Sequence, residues 1–138
     1  MRPFRSGCPI ASTLDLVGDK WSLVIIRSMV MGATSYSEFL AMPEKIATNI
    51  LAERLRRLEA VGLIIQDQPR QGSHRGSYKL TSRGAGLIPA IQALARWGEE
   101  NIAGRWTPPE RFYAARAPDH AQDRAEATKR HPIGDPGS

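Results

Sequence analysis

Apolar residues recur at three- and four-residue steps through the first half of the chain. In CPIASTLDLVG the positions Ile10, Ala11, Leu14 and Val17 share one side, Pro9 stands where a first helical turn tolerates it, and Gly18 stands where a left-handed cap is wanted. The spacing predicts a short amphipathic helix. Asp19 is placed to cap the next segment, KWSLVIIRSMVMG, which is apolar on most sides through Trp21, Leu23, Val24, Ile25, Ile26 and Met29 and should form a central helix ending at Gly32. Tyr36, Phe39 and Leu40 predict a third, short helix capped by Thr34 or Ser35 and closed by Pro43.

The segment NILAERLRRLEAVGLI carries two characters at once. Starting near Ala47 or Thr48, it turns Ile50, Leu51, Leu55 and Leu58 inward and leaves Asn49, Ala52, Glu53, Arg56 and Arg57 towards solvent, until Gly62 breaks the pattern. The period then changes. LIIQDQ and SYKLT read as short strands around the loop PRQGSHRG, whose Pro69, Gly72 and Gly76 suit a hairpin. Thr81 is a plausible N-cap for SRGAGLIPAIQALARWGEENI, with Pro89 delaying the regular helix by a few residues. Its stripe of Leu87, Ile88, Ile91, Leu94, Ala95 and Ile102 is wider than one packing partner needs.

Helix, helix, helix, exposed basic helix, hairpin, long helix is the element order of a winged helix-turn-helix. The predicted class is α+β, mostly helical, with a β-hairpin wing. Residues 1–7 form an N-terminal arm, 8–104 the domain, and 105–138 an extension, rich in Pro, Arg, Asp and Ala, that is expected to be disordered or loosely helical. A recognition helix buries one face and offers the other to the major groove, its first residues reaching base edges. Here those are Thr48, Asn49, Ala52 and Glu53: Asn pairs in bidentate fashion with adenine, Thr meets a thymine methyl and Glu accepts from cytosine. Arg56 and Arg57 are assigned to phosphates, and Arg70, His74 and Arg75 of the hairpin loop to the backbone or minor groove.

Charge agrees with a polyanionic partner. Lys and Arg number 19 against 14 Asp and Glu, a net +5 with a sequence pI of about 9.9. At 138 residues the chain has the length of one domain. One cysteine excludes a disulfide framework and fits a reducing cytoplasm, and WSLVIIRSMVM is too short and too interrupted by Arg27 to span a bilayer. His74, His120 and His131 lie in a loop and in the extension without metal-ligand spacing, and are read as solvent-exposed. The GAG at Gly84–Gly86 lacks the rest of a nucleotide fingerprint, and no nucleophile, base and acid are nominated together. No catalytic residue, metal or cofactor is expected. Trp21 and Trp97 are candidates for lining a ligand cavity, against plain core packing. A second function class remains beside DNA binding: a winged-helix protein-interaction module that turns its basic face to an acidic partner.

CPIASTLDLVGDKWSLVIIRSM, YSEF, IATNILAERLRRLEAVGLI and YKLTSRGAGLIP together resemble the HxlR family of bacterial transcriptional regulators, relatives of the MarR group, from about Cys8 to Trp97. The resemblance implies a homodimer that binds a pseudo-palindromic, double-stranded DNA operator as a regulator, taken as a repressor. It also implies dimerisation through the first and last helices, which would engage Ile10, Leu14, Leu87, Ile91, Leu94 and Trp97. Two departures stand out. Ala47-Thr48 replaces the Ser-Pro pair of many relatives, leaving Thr48 to take over the cap, and a basic PRQGSHRGS replaces their acidic, proline-bearing wing tip.

Cys8 precedes Pro9 at a helix start, where the dipole and Arg5 nearby in sequence favour a thiolate. The resemblance implies a thiol sensor for electrophiles or oxidants there, with Cys8 modified or joined to Cys8 of the partner subunit. The reading preferred on the residues alone is a small, buried apolar side chain.

Overall fold

The computed structural model describes residues 3–67 and 76–122. Helices α1 (Pro9–Val17), α2 (Ser22–Val30), α3 (Tyr36–Leu40) and α4 (Thr48–Ala60) precede an antiparallel pair, β1 (Ile64–Gln66) and β2 (Tyr78–Leu80). The helices α5 (Ser82–Ala85), α6 (Ile88–Asn101), α7 (Glu110–Ala114) and α8 (Ala117–His120) follow. The strands pair Ile64 with Leu80, Ile65 with Lys79 and Gln66 with Tyr78.

Local chemistry explains the boundaries. Asp19 Oδ2 accepts from the Trp21 and Ser22 amides, both at 3.0 Å, and its Oδ1 from Ser22 Oγ, so it satisfies the first donors of α2 from just outside the helix. Gly32, at φ 110°, ends that helix as expected. Ser35 caps α3 in a full capping box with Glu38. Lys45, at φ 61°, turns the chain between α3 and α4, where Gly or Asn would be the usual choice.

Three boundaries differ from the expectations. Gly18 is right-handed at φ −81°, and what favours glycine there is space, since a Cβ would lie 2.4 Å from the Leu14 carbonyl oxygen. Ala47 stands at the N-cap of α4 without a side-chain hydrogen bond, so Thr48 is the first helical residue and not its cap. Thr81 caps only the single turn α5, because Pro89 cannot continue a helix from it; the long helix starts afresh at Ile88 with Pro89 in its first turn.

Helix α2 runs through the centre, where Ile25 and Ile26 are fully buried, and packs on β2 and α6. Phe39 meets Tyr78 edge-on at 6.1 Å, joining α3 to the sheet. Thr81 Oγ1 donates to the Gly62 carbonyl at 2.6 Å and accepts from Gly84 N at 3.0 Å, fixing the end of the sheet to α5.

The extension departs from its expected disorder over residues 105–122, which carry α7 and α8 across the domain. Phe112 and Ala115 enter the core, while the two N–H groups of Gln92 Nε2, on α6, are shared among the carbonyls of Phe112, Tyr113 and Ala115, all within hydrogen-bond distance. The amide gives partners to backbone carbonyls that the extension buries against α6. Within the described residues, Gln122 N donates to the Leu80 carbonyl at 2.7 Å and ties this strap to the end of β2. His120 is half-buried on α8 rather than fully exposed, and His131 lies outside the described residues, as does His74 of the hairpin loop.

Candidate nucleic-acid interface

The helix-turn-helix is α3, the turn at 41–47, and α4. Leu51, Leu55 and Leu58 anchor α4 in the core at steps of four and three, which turns the opposite side outward. The Tyr36 hydroxyl donates to the Thr48 carbonyl at 2.9 Å, tying the two helices together at the start of α4. Arg27 of α2 forms a two-pronged pair with Glu44, at 2.7 and 3.0 Å, which holds the turn. That pair keeps the Glu44 carboxyl below its ordinary range, the Arg27 hydrogen bond outweighing the opposing effect of burial.

Thr48, Asn49 and Arg56 are exposed; Ala52, Glu53 and Arg57 are partly covered. Two of the six carry commitments that the sequence did not disclose. Arg57 Nη2 donates to the Asp15 carbonyl at 2.9 Å, near the end of α1, which corrects its assignment to phosphate. Glu53 is paired with its neighbour Arg54, whose Nε also binds Asp19 Oδ2 at 2.9 Å. Arg54 and Arg57, three residues apart, share the flank of α4 that meets α1 and the turn after it. Burial pushes the Asp19 carboxyl up, but hydrogen bonds from Ser22, Trp21 and Arg54 outweigh it, and the net shift is downward. The wing residues Arg70, His74 and Arg75 lie outside the described residues.

Cys8 is exposed, which overturns the buried reading. It caps α1, its Sγ accepting from Ala11 N at 3.5 Å. Arg5 does not serve the thiol: its guanidinium binds Asp15 at 2.5 Å and the Ala11 carbonyl at 3.3 Å.

Of the residues expected at a dimer contact, Ile10 keeps 71% and Trp97 60% of its surface, and Leu14 and Leu94 are also exposed. Ile91 is buried in the core and Leu87 packs half-buried against it, because the over-wide stripe of α6 has its own domain as one partner. An open, mainly apolar groove of about 1060 Å³ runs between α2, the turn before α4, α6 and residues 104–109. Leu23, Val24, Met31, Leu94 and Trp106 are among its lining residues; Trp21 and Trp97 do not line this groove. Trp21 packs against the core instead, with Lys20 Nζ 5.3 Å from its ring centre.

A buried-backed helix exposing its first turn after a tight turn, followed by an antiparallel hairpin, defines a winged helix-turn-helix DNA-binding protein. The HxlR-like helix-turn-helix family matches residues 16–105. The chain is 33% identical to the HTH-type transcriptional regulator YybR of Bacillus subtilis (strain 168), over 72% of this chain and 79% of YybR. It is 31% identical to the HTH-type transcriptional regulator Mb3122 of Mycobacterium bovis, over 95% and 87%. Among solved structures, the redox regulator HypR in its reduced form superimposes with a TM-score of 0.65 at 31% identity, covering 70% of this chain and 95% of HypR. Quinone-bound YodB from B. subtilis does so with a TM-score of 0.57 at 26% identity, covering 67% and 99%. The chain belongs to the HxlR family and is a DNA-binding transcription regulator. Among the described residues no helix is long and apolar enough to cross a membrane.

Proposed function

We propose that the protein is a cytoplasmic, non-catalytic repressor that binds a pseudo-palindromic operator as a homodimer. Thr48, Asn49, Ala52 and Glu53 read bases, Arg56 binds phosphate, and Arg70, His74 and Arg75 bring the wing to the backbone. The exposed first turn of α4, set on the buried row Leu51, Leu55 and Leu58, carries this reading. Ile10, Leu14, Leu94 and Trp97 are apolar groups that a second subunit would cover.

The effector is a thiol-reactive species that modifies Cys8. Its exposure supports this role, as does likeness to HypR, solved in reduced and oxidised forms, and to quinone-bound YodB.

The test is a gel-shift titration against the DNA upstream of the protein's own gene, with a scrambled duplex as competitor. Retention that survives the competitor, with affinity falling with salt at a slope near −0.9 per phosphate neutralised, is expected. Equal competition by both duplexes across candidate upstream regions would refute operator-specific binding. Diamide should change the retention of the parent and leave Cys8→Ser unaffected; an unchanged response in that variant removes Cys8 from the mechanism.

A further inference from the structure

Arg54 stands at the junction of two carboxylates that belong to different tasks. Its Nε binds Asp19 Oδ2 at 2.9 Å, and its Nη1 engages Glu53 Oε1 one residue away on α4. Asp19 is itself immobilised, because both of its oxygens hold the start of α2. Arg57, on the same flank, is fixed to the Asp15 carbonyl. Recognition helix α4 is therefore held by more than its apolar row: two guanidinium groups fasten it to the end of α1 and the turn that follows. The Arg54 side chain is 21% exposed whereas Glu53 is 46% exposed, so the chain of contacts runs from a sheltered anchor to a carboxylate at the protein surface.

We propose that Arg54 is a positioning residue for base selection, acting through Glu53; this rests on the reading of Glu53 as a base reader. A carboxylate moved towards DNA meets the negative field of the phosphates, and an arginine bound to it offsets that repulsion. With Oε1 held by Arg54, the carboxylate has a second oxygen to offer to an exocyclic amine, the N4 group of cytosine being its usual major-groove partner. The planar, forked guanidinium serves two acceptors at fixed angles, which a lysine ammonium cannot reproduce although it keeps the charge.

The experiment is selection of bound sequences from a randomised duplex pool by the full-length parent, Arg54→Lys, Asp19→Asn and Glu53→Gln, with melting temperatures measured alongside. The α2 amides and Arg54 Nε share Asp19 Oδ2, so Asp19→Asn keeps that acceptor and the cap but removes the charge that holds the guanidinium, and it tests the ionic part of the link to Arg54. The parent should prefer one base pair per half-site through Glu53, and Arg54→Lys and Asp19→Asn should each lower that preference about tenfold, within the range of one good side-chain–base contact, leaving other positions unchanged. Glu53→Gln should lower it in the parent and add nothing in the Arg54→Lys background. Lower melting temperatures with an unchanged preference profile in both variants would make Arg54 merely structural and overturn the proposal. A parent that enriches no sequence would refute both this inference and operator-specific binding.

Discussion

Asn49, Arg56 and Arg57 lie on one basic helix, and the proposed function gives them different work. Asn49→Ala should remove a base contact and cost about 1–3 kcal/mol of discrimination at one position of the operator, seen as relaxed preference in competition assays. Arg56→Ala should weaken binding to all sequences alike and reduce the salt slope by about 1. Arg57→Ala should leave that slope unchanged, because its guanidinium faces the Asp15 carbonyl, and should lower the urea midpoint instead. Acid should expose Asp19 and Glu44 together. Their folded carboxyls release protons at lower pH than in the unfolded chain, so between the two values the native state binds fewer protons and stability rises with pH. The stabilisation is complete above the unfolded values near 4 and is lost as pH falls below them. Urea midpoints recorded from pH 7 down to pH 3 should therefore fall, and less steeply in Asp19→Asn.

At the scale of elements, short helices here depend on caps and close approaches more than on length. Helix α3 is five residues long and is stabilised by its Ser35–Glu38 box. Helix α5 is four residues long and sits so near β1 that a Cβ on Gly84 would lie 2.0 Å from the Leu63 carbonyl oxygen. Gly84→Ala must displace backbone, and should destabilise by at least the roughly 1–3 kcal/mol typical of overpacking, read from chemical denaturation. Helix α3 was legible because it has a local cause in the chain: an apolar period and a hydroxyl before its first turn. The two-helix reading of SRGAGLIPAIQALARWGEEN was only half legible. Pro89 announced a delayed onset, but the hydrogen bond from Thr81 Oγ1 to the Gly62 carbonyl, 19 residues away, is written in no local pattern.

Across the whole molecule, the strap at 105–122 joins α6 to the end of β2 through Gln92, Phe112 and the Gln122–Leu80 hydrogen bond. Phe112→Ala should cost about 3–5 kcal/mol by emptying a buried ring site, and limited proteolysis should then cut within the strap. The proposed homodimer should respond at the same helix: Trp97→Glu, placing charge on an exposed apolar position, should shift it towards monomer in sedimentation. A dimer unaffected by that change would move the interface elsewhere.

Periodicity and punctuation in the chain determined the order of α1 to α4, the two strands and α6, the core row of α4 and its exposed first turn, because each is written in residues close together in sequence; the motifs of the HxlR family are local in the same way. Tertiary structure alone decided which charges are spent internally. Arg57 and Asp15 are 42 residues apart, and Arg54 and Asp19 are 35 apart, so no local pattern can tell a guanidinium bound for phosphate from one bound to a neighbouring helix. The same holds for Ile91, Cys8 and the strap. Whether an apolar stripe meets its own core or a partner, whether a thiol is covered, and whether a polar tail finds an amide to hold it are properties of the packed surface, which forms only when distant segments meet.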